Sequence, residues 1–338
     1  MSHRYFNIII TIINALFIST NVFSCTTVFA NDHGIYKVVA RTMDLFVSDK
    51  PTIMTQPKGM THHGEAGENS LNWKSKYGSL VVTAFHTSTV SDGMNEKGLA
   101  AHLLYLTGTI YASPKSDLPQ ISNALWAQYI LDNFATVDEA IKGTRNLQLV
   151  ATKVQGRTWP IHLAIEDASG DSAVIEFIQG KEKIYHGDQY RVMTNEPAYN
   201  IQLANLKNYK GFGGEHSLPG DSDPLSRFVR VATYLKTLPK STTEIDAIAG
   251  IFSVIRSAMV PFGAEDTSGN DTEDAWPTRW VTVANVTNKV YFFNSTSAPN
   301  IIWFDLNKLN FSENAPILSI DPIDVHLEGE VTNKLLKK

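Results

Sequence analysis

One of the 338 residues is a cysteine, Cys25, and its place in the chain suggests a task. The segment before it has the layout of a secretory leader. His3 and Arg4 come first, then the apolar run Phe6–Ile18, broken only by Asn7, Thr11 and Asn14. Polar Ser19–Asn21 and the triplet Val22-Phe23-Ser24 follow. The short side chains of Val22 and Ser24 suit a signal peptidase that cuts before Cys25. The apolar run is shorter than the roughly 20 residues that span a bilayer. Residues 1–24 are therefore expected to be removed as a signal peptide, leaving an exported protein, periplasmic or secreted, that begins at Cys25. With one cysteine no intramolecular disulfide can form, and a lone thiol in an oxidising compartment is a liability unless it is used. At the head of a chain the same residue supplies a free α-amine. That amine titrates at about 7.7–8.0 and a free thiol at about 8.5, so the amine can act as general base to its own thiol. A cation nearby would favour the thiolate, and a carboxylate would hold the ammonium. The hypothesis demands one of each beside Cys25.

The elements around Cys25 offer both. Cys25–Ala30 alternates polar and apolar residues, Gly34–Asp44 is rich in β-formers, and Asn31-Asp32-His33-Gly34 between them is turn chemistry. The resulting hairpin returns Arg41-Thr42-Met43-Asp44 to the level of Cys25. Arg41 and Asp44 differ by an odd step, so a regular strand points them to opposite faces, and a bulge or the strand's end has to bring both to the cysteine.

Further along, Pro51–Tyr77 reads as a long surface loop. Leu80–Phe85 and Leu99–Leu106 read as strands around a turn at Asp92–Gly98. Helical spacing covers Ser122–Asn133, and a second helix starts at Thr136 with Glu139 completing a capping box. Trp159–Glu166 and Ser172–Gln179 form a hairpin, and Tyr190–Thr194 is a strand. Helices follow over Ile201–Tyr209, Leu225–Leu238 and Thr242–Met259, the last capped by Ser241 with Glu244. Trp280–Asn285 and Val290–Ser295 make a late hairpin. No repeat or linker divides the chain, and strands flanking a central run of helices predict a single α+β domain over 25–338 rather than βαβ alternation. A net charge of -5 with scattered Lys and Arg excludes a nucleic-acid stripe.

With these motifs assembled, the chain resembles the choloylglycine hydrolase family of N-terminal nucleophile hydrolases, which includes penicillin V acylases and conjugated bile acid hydrolases. The resemblance rests on Cys25-Thr26-Thr27 after a leader and on Arg41-Thr42-Met43-Asp44. It continues through Asp92-Gly93-Met94-Asn95-Glu96-Lys97-Gly98-Leu99, Met193-Thr194-Asn195-Glu196-Pro197, Leu218-Pro219-Gly220-Asp221 and Ser226-Arg227-Phe228-Val229-Arg230. It implies a four-layer αββα fold, no cofactor, no metal, and a small-molecule N-acyl amide as substrate. It also implies roles: Cys25 the nucleophile, Arg41 the thiolate's cation, Asp44 the partner of the α-amine, Asn195 and the backbone N–H of Tyr105 the oxyanion donors, and Arg227 a support of the charge network. The Asp92–Leu99 segment reads as structural, its glycines serving turns. Oligomeric state stays open, although relatives are often tetramers.

Many bile-acid-cleaving relatives carry Asn where Tyr105 stands, so Leu103-Leu104-Tyr105-Leu106 resembles the acylase branch. An aromatic there favours a flat or apolar acyl group, as in penicillin V or an N-acyl homoserine lactone, with a conjugated bile acid the alternative. Specificity is expected from the loops Leu45–Tyr77 and Gly108–Pro119. A reading of another class makes Cys25 the lipidated residue of an anchored binding protein, but Val22-Phe23-Ser24 is a poor lipobox. Papain-like chemistry lacks its flanking residues. No G-x-S-x-G elbow is present, and His62-His63 stands outside any H-E-x-x-H helix.

Overall fold

The computed structural model describes residues 25–115, 117–262, 264 and 276–337, so the expected leader over 1–24 lies outside the described residues. Two sheets carry the architecture. The first has seven strands, built around β1 (Cys25–Ala30) and β2 (Val38–Asp44). The second has nine, and it includes β3 (Thr52–Gln56), β4 (Ser79–Thr83), β5 (Val90–Asn95), β6 (Ala100–Tyr105), β7 (Ile161–Glu166) and β8 (Ser172–Ile178). In the first sheet β1 pairs antiparallel with β9 (Val192–Thr194) on one side and with β2 on the other, and β2 pairs with β10 (Thr278–Asn285), which turns back as β11 (Val290–Ser295).

Helices cover both outer faces. Helix α1 (Trp126–Asn133) lies on β5 and β6, with α2 (Val137–Gly143) following it. Helices α3 (Tyr199–Leu206), α4 (Pro224–Thr237) and α5 (Glu244–Arg256) belong to the other side, where α4 and α5 lie on β1, β2 and their neighbours. The order is helices, sheet, sheet, helices: the αββα stack. One apolar cluster fills the space between the sheets and extends under α4 and α5, joining Val28, Val39, Leu80 and Leu104 to Phe228 and Ile251. A second lies between the nine-stranded sheet and α1, around Val81, Leu103, Trp126 and Ile130. Antiparallel sheets commonly leave one face to water; here both faces of each are covered, so β1 and β2 are buried at every residue.

Most expected elements stand close to their predicted places, with four differences, the first being that the expected turn at Asp92–Gly98 begins late, because Asp92–Asn95 belongs to β5. The segment 51–77 is not a loop: β3 joins the nine-stranded sheet, and Thr61–His63 pairs with Asn72–Lys74. The expected strand Leu80–Phe85 ends at Thr83, because Phe85 and His86 both adopt positive φ, 57° and 54°. The cap of α5 is Thr243, whose hydroxyl accepts from Asp246 N–H, rather than Ser241 with Glu244; Ser241 instead donates to His33 O. At α2 the expected cap holds, with Thr136 accepting from Glu139 N–H.

Candidate active site

Strand pairing assembles the site from distant stretches. Cys25 opens β1 opposite Met43, which puts Arg41 and Asp44 on the adjacent strand within two residues of its level. On the other side Thr26 pairs with Thr194, so Asn195, the next residue, falls beside Cys25. Helix α4 starts behind a cap in which Asp223 accepts from Leu225 N–H and Pro224 occupies the first turn, and it delivers Arg227 to the same spot.

The odd spacing of Arg41 and Asp44 is real, and the two side chains approach from opposite faces of β2. Arg41 points between the sheets: Nη2 donates to Leu103 O at 2.8 Å, Nη1 to Ser91 O at 3.2 Å, and its Cζ lies 4.8 Å from the centroid of the Trp280 ring. Asp44 lies on the face of Thr42, whose hydroxyl donates to its Oδ2 at 3.1 Å, and that face looks toward α4, where Arg227 Nη1 stands 3.8 Å away. The β2–β10 pairing slips a register between Thr278 and Trp280, opposite this strand end.

Arg227 ties the group together. Its Nη1 donates to Cys25 O at 2.8 Å and to Thr26 Oγ1 at 2.5 Å, its Nη2 to Asn195 Oδ1 at 3.2 Å, and its Nε to Ser222 O at 2.9 Å. Asn195 Oδ1 also accepts from the Cys25 backbone N–H. With its carbonyl oxygen so committed, the Asn195 amide turns Nδ2 toward Tyr105 O, 2.7 Å away, leaving the second N–H of Nδ2 for another acceptor. Leu106 N–H bonds to Pro160 O across the β6–β7 edge, so the ladder's alternation turns the Tyr105 N–H away from β7. All six expected residues are thus brought together: Cys25, Arg41, Asp44, Asn195 and Arg227 are buried, and Tyr105 is half-buried at the rim.

Burial sets the electrostatics. It pushes the Cys25 thiol up, against Arg41, which pulls it down. In the full-length chain the thiol is therefore not the activated one that a neighbouring cation alone would give, because desolvation outweighs Arg41. Burial likewise lifts Asp44 to about 7 despite Arg227 and the hydroxyls of Thr278 and Thr42, which pull it down.

Cys25 lines a cleft whose wall is mostly apolar. Its walls include Met43, Leu45, Phe85, Leu104, Tyr105, Trp159, Ile161 and Trp276, with Asp49, Asn123 and Thr152 among the polar members. Phe85 stacks on Trp159 with centroids 5.4 Å apart, Tyr105 meets Trp159 edge-on at 6.4 Å, and Phe46 meets Trp276 at 4.9 Å. The expected specificity loops are only partly right. Leu45 and Asp49 come from the first, nothing in the lining comes from Gly108–Pro119, and the remaining walls come from 25, 41–44, 84–91, 103–105, 123–124, 152–161 and Trp276. Sequence reasoning missed Phe85 and Trp159 as cleft residues because nothing local separates them from core aromatics.

The profile of the linear amide C-N hydrolases, choloylglycine hydrolase family, matches residues 25–320 and so starts at the cysteine itself. The chain is 40% identical to a penicillin V acylase of Pectobacterium atrosepticum, over 86% of this chain and 82% of that one. It is 25% identical to a bile salt hydrolase/transferase of Clostridium perfringens, over 86% and 94%. The solved structure of penicillin V acylase from Agrobacterium tumefaciens superposes with a TM-score of 0.83 at 38% identity, covering 93% of this chain and 98% of that one. The chain is a linear amide C-N hydrolase and belongs to the choloylglycine hydrolase family.

Proposed function

We propose that this chain is exported, cleaved before Cys25, and acts through that cysteine as a penicillin V acylase-like amidase on secondary amides with a flat, apolar acyl group. The carrying observation is the position of Cys25: it heads a buried strand among Arg41, Asp44, Asn195 and Arg227, and it opens onto a cleft walled by Phe85, Tyr105, Trp159 and Trp276. Cleavage would turn the Cys25 amide into an ammonium. That cation joins Arg227, 3.8 Å from Asp44 Oδ2, as a second positive charge beside the buried carboxylate.

In the mechanism this geometry supports, the α-amine takes the thiol proton and the thiolate, favoured by Arg41, attacks the amide carbon. The oxyanion that forms is held by the second N–H of Asn195 and the backbone N–H of Tyr105. As the C–N bond breaks, the α-ammonium gives its proton to the leaving amine, and a thioester remains on Cys25. Water then attacks, the α-amine takes its proton, and the carboxylic acid leaves. Arg227 holds Cys25 O, Thr26 and Asn195 in register throughout.

The relatives divide between penicillin V and bile salts, and the aromatic walls favour a flat acyl group over a steroid. Hydrolysis of penicillin V, an N-acyl homoserine lactone and a glycine-conjugated bile acid, measured side by side with N-terminal sequencing of the exported protein, tests the reading. It expects a start at Cys25-Thr26-Thr27 and kcat/KM highest for one of the first two amides. A diacylglycerol mass on Cys25 overturns the mechanism, and preference for the bile acid overturns the substrate class.

A further inference from the structure

The segment Asp92–Leu99 divides into two kinds of residue. Asn95 and Gly98 build the turn, while Gly93 lies within β5. Asn95 Oδ1 accepts from Lys97 and Leu99 N–H while its Nδ2 donates to Leu131 O and Phe134 O. Gly98 has φ +83°, and a Cβ there would stand 2.3 Å from Val286 O. Asp92 contributes to none of this. It is fully buried on β5, between the sheets, among charged and polar groups from four other strands.

Its Oδ2 faces Arg41 Nη1 at 3.4 Å and His102 Nδ1 at 2.6 Å, and its Oδ1 accepts from the Tyr291 hydroxyl. His102 Nε2 in turn faces Glu166 Oε2 at 3.2 Å, so one line runs Arg41–Asp92–His102–Glu166. Arg41 itself has carbonyl partners at two nitrogens, while its Nε has no partner among the described residues. Asp92 is the carboxylate in contact with this guanidinium, and Arg41 shares the cleft wall with Cys25.

We propose that Asp92, held by His102, is a positioning residue that fixes the Arg41 guanidinium beside the Cys25 sulfur. The inference rests on Cys25 being the nucleophile. Two cations between the sheets, Arg41 and His102, are tolerable because Asp92 stands between them. Burial would push His102 down, but Asp92 and Glu166 pull it up to about 10, so the imidazole is a cation at neutral pH and donates to Asp92. The titratable and charged groups facing the line are Tyr291 against Asp92, Asp167 beside Glu166, and Asp49, Asp44 and Cys25 on the Arg41 side.

The sign of one measurement separates positioning from simple charge. A carboxylate near a thiolate disfavours it, so if Asp92 acted through charge alone, Asp92→Asn would lower the thiol pKa. If Asp92 anchors Arg41, the freed guanidinium withdraws and the thiol pKa rises. The experiment is the pH profile of iodoacetamide alkylation of the mature enzyme, with kcat, KM and Tm measured on the same samples. Asp92→Asn is expected to move the alkylation midpoint upward, slow alkylation at pH 7 by about tenfold, and lower kcat with KM little changed.

His102 gives a second test with its own rescue. An Asn side chain places its N–H near where Nδ1 stood, and Gln places it near Nε2. His102→Asn should therefore stay near wild type, while His102→Gln follows Asp92→Asn. A folded Asp92→Asn with an unchanged or lowered midpoint overturns the proposal. If that variant does not fold, equal behaviour of the two His102 variants overturns it instead. Near-wild-type hydrolysis by Cys25→Ser would remove the nucleophile reading itself. A thiol-dependent wild type with an unmoved Asp92→Asn removes only this one.

Discussion

Arg41 and Asp44 flank Cys25 from the two faces of one strand, and this division of labour governs what each substitution should do. Arg41→Ala takes away the cation that offsets thiol burial, so iodoacetamide alkylation near pH 7 should slow by about tenfold or more, since a close opposite charge is worth about one to three pKa units. An unchanged profile would make Arg41 structural only. Asn195→Ala leaves the thiol its cation and should alkylate normally, yet lose about 10²–10³ in kcat with the oxyanion donor. Alkylation and turnover falling together would contradict that split. Arg41 and Asp44 were legible because the hairpin returns them to the level of Cys25, whereas Asn195 was legible only through the family resemblance of its motif. Asp92 was read as part of a turn because its partners Arg41, His102 and Tyr291 come from other strands, and no spacing in the sequence brings a carboxylate and a guanidinium 51 positions apart into contact.

At the level of elements, the cleft depends on a turn that breaks a strand early. Phe85 and His86 adopt left-handed φ, which bulky residues rarely do, at a cost on the order of 1–3 kcal/mol each. Phe85 N–H bonds to Asp49 O, and the ring stacks on Trp159, so neighbouring segments hold the conformation. Phe85→Ala should remove one wall of the acyl site and raise KM for penicillin V by about tenfold, in line with about 1–3 kcal/mol for lost apolar surface, while thiol alkylation stays as in the wild type. An unchanged KM would place the acyl group elsewhere. The sequence read Leu80–Phe85 as one strand because β-propensity says nothing of where a chain must turn. The strands within 51–77 escaped notice for a related reason: they are short and rich in polar residues, and they gain their stability from pairing, β3 with β4 and Thr61–His63 with Asn72–Lys74.

Across the whole molecule, four layers bury acids, and Asp132 has beside it the imidazole of His62, 3.3 Å from Oδ2, whose own pKa burial lowers. Asp132, under α1, accepts from Trp73 Nε1 at 2.7 Å and Gln128 Nε2 at 2.6 Å, and burial raises it from 3.8 to about 7. Between those two values the folded chain binds the proton more tightly than the unfolded chain. Its contribution to stability is therefore full below about pH 4 and lost as pH rises toward 7. Asp132→Asn removes that loss, so the variant's Tm should gain on the wild type's between pH 4 and 7; a constant difference would contradict it. The helices, the late hairpin and the α+β class were readable from periodicity and turn residues. The alternation that marks a half-solvated strand is blurred in β1 and β2 because every residue there is buried, and only the family resemblance of the motifs from Cys25 to Arg230 pointed to the stack.

The central claim is that Cys25 is the nucleophile, and Cys25→Ser tests it most directly. Serine keeps the side chain's size and the α-amine but replaces a thiol with a hydroxyl that the amine can hardly deprotonate. The account predicts a folded, correctly processed variant with a wild-type Tm and amide hydrolysis lowered by several orders of magnitude. Hydrolysis near the wild-type rate by that same folded variant would contradict it.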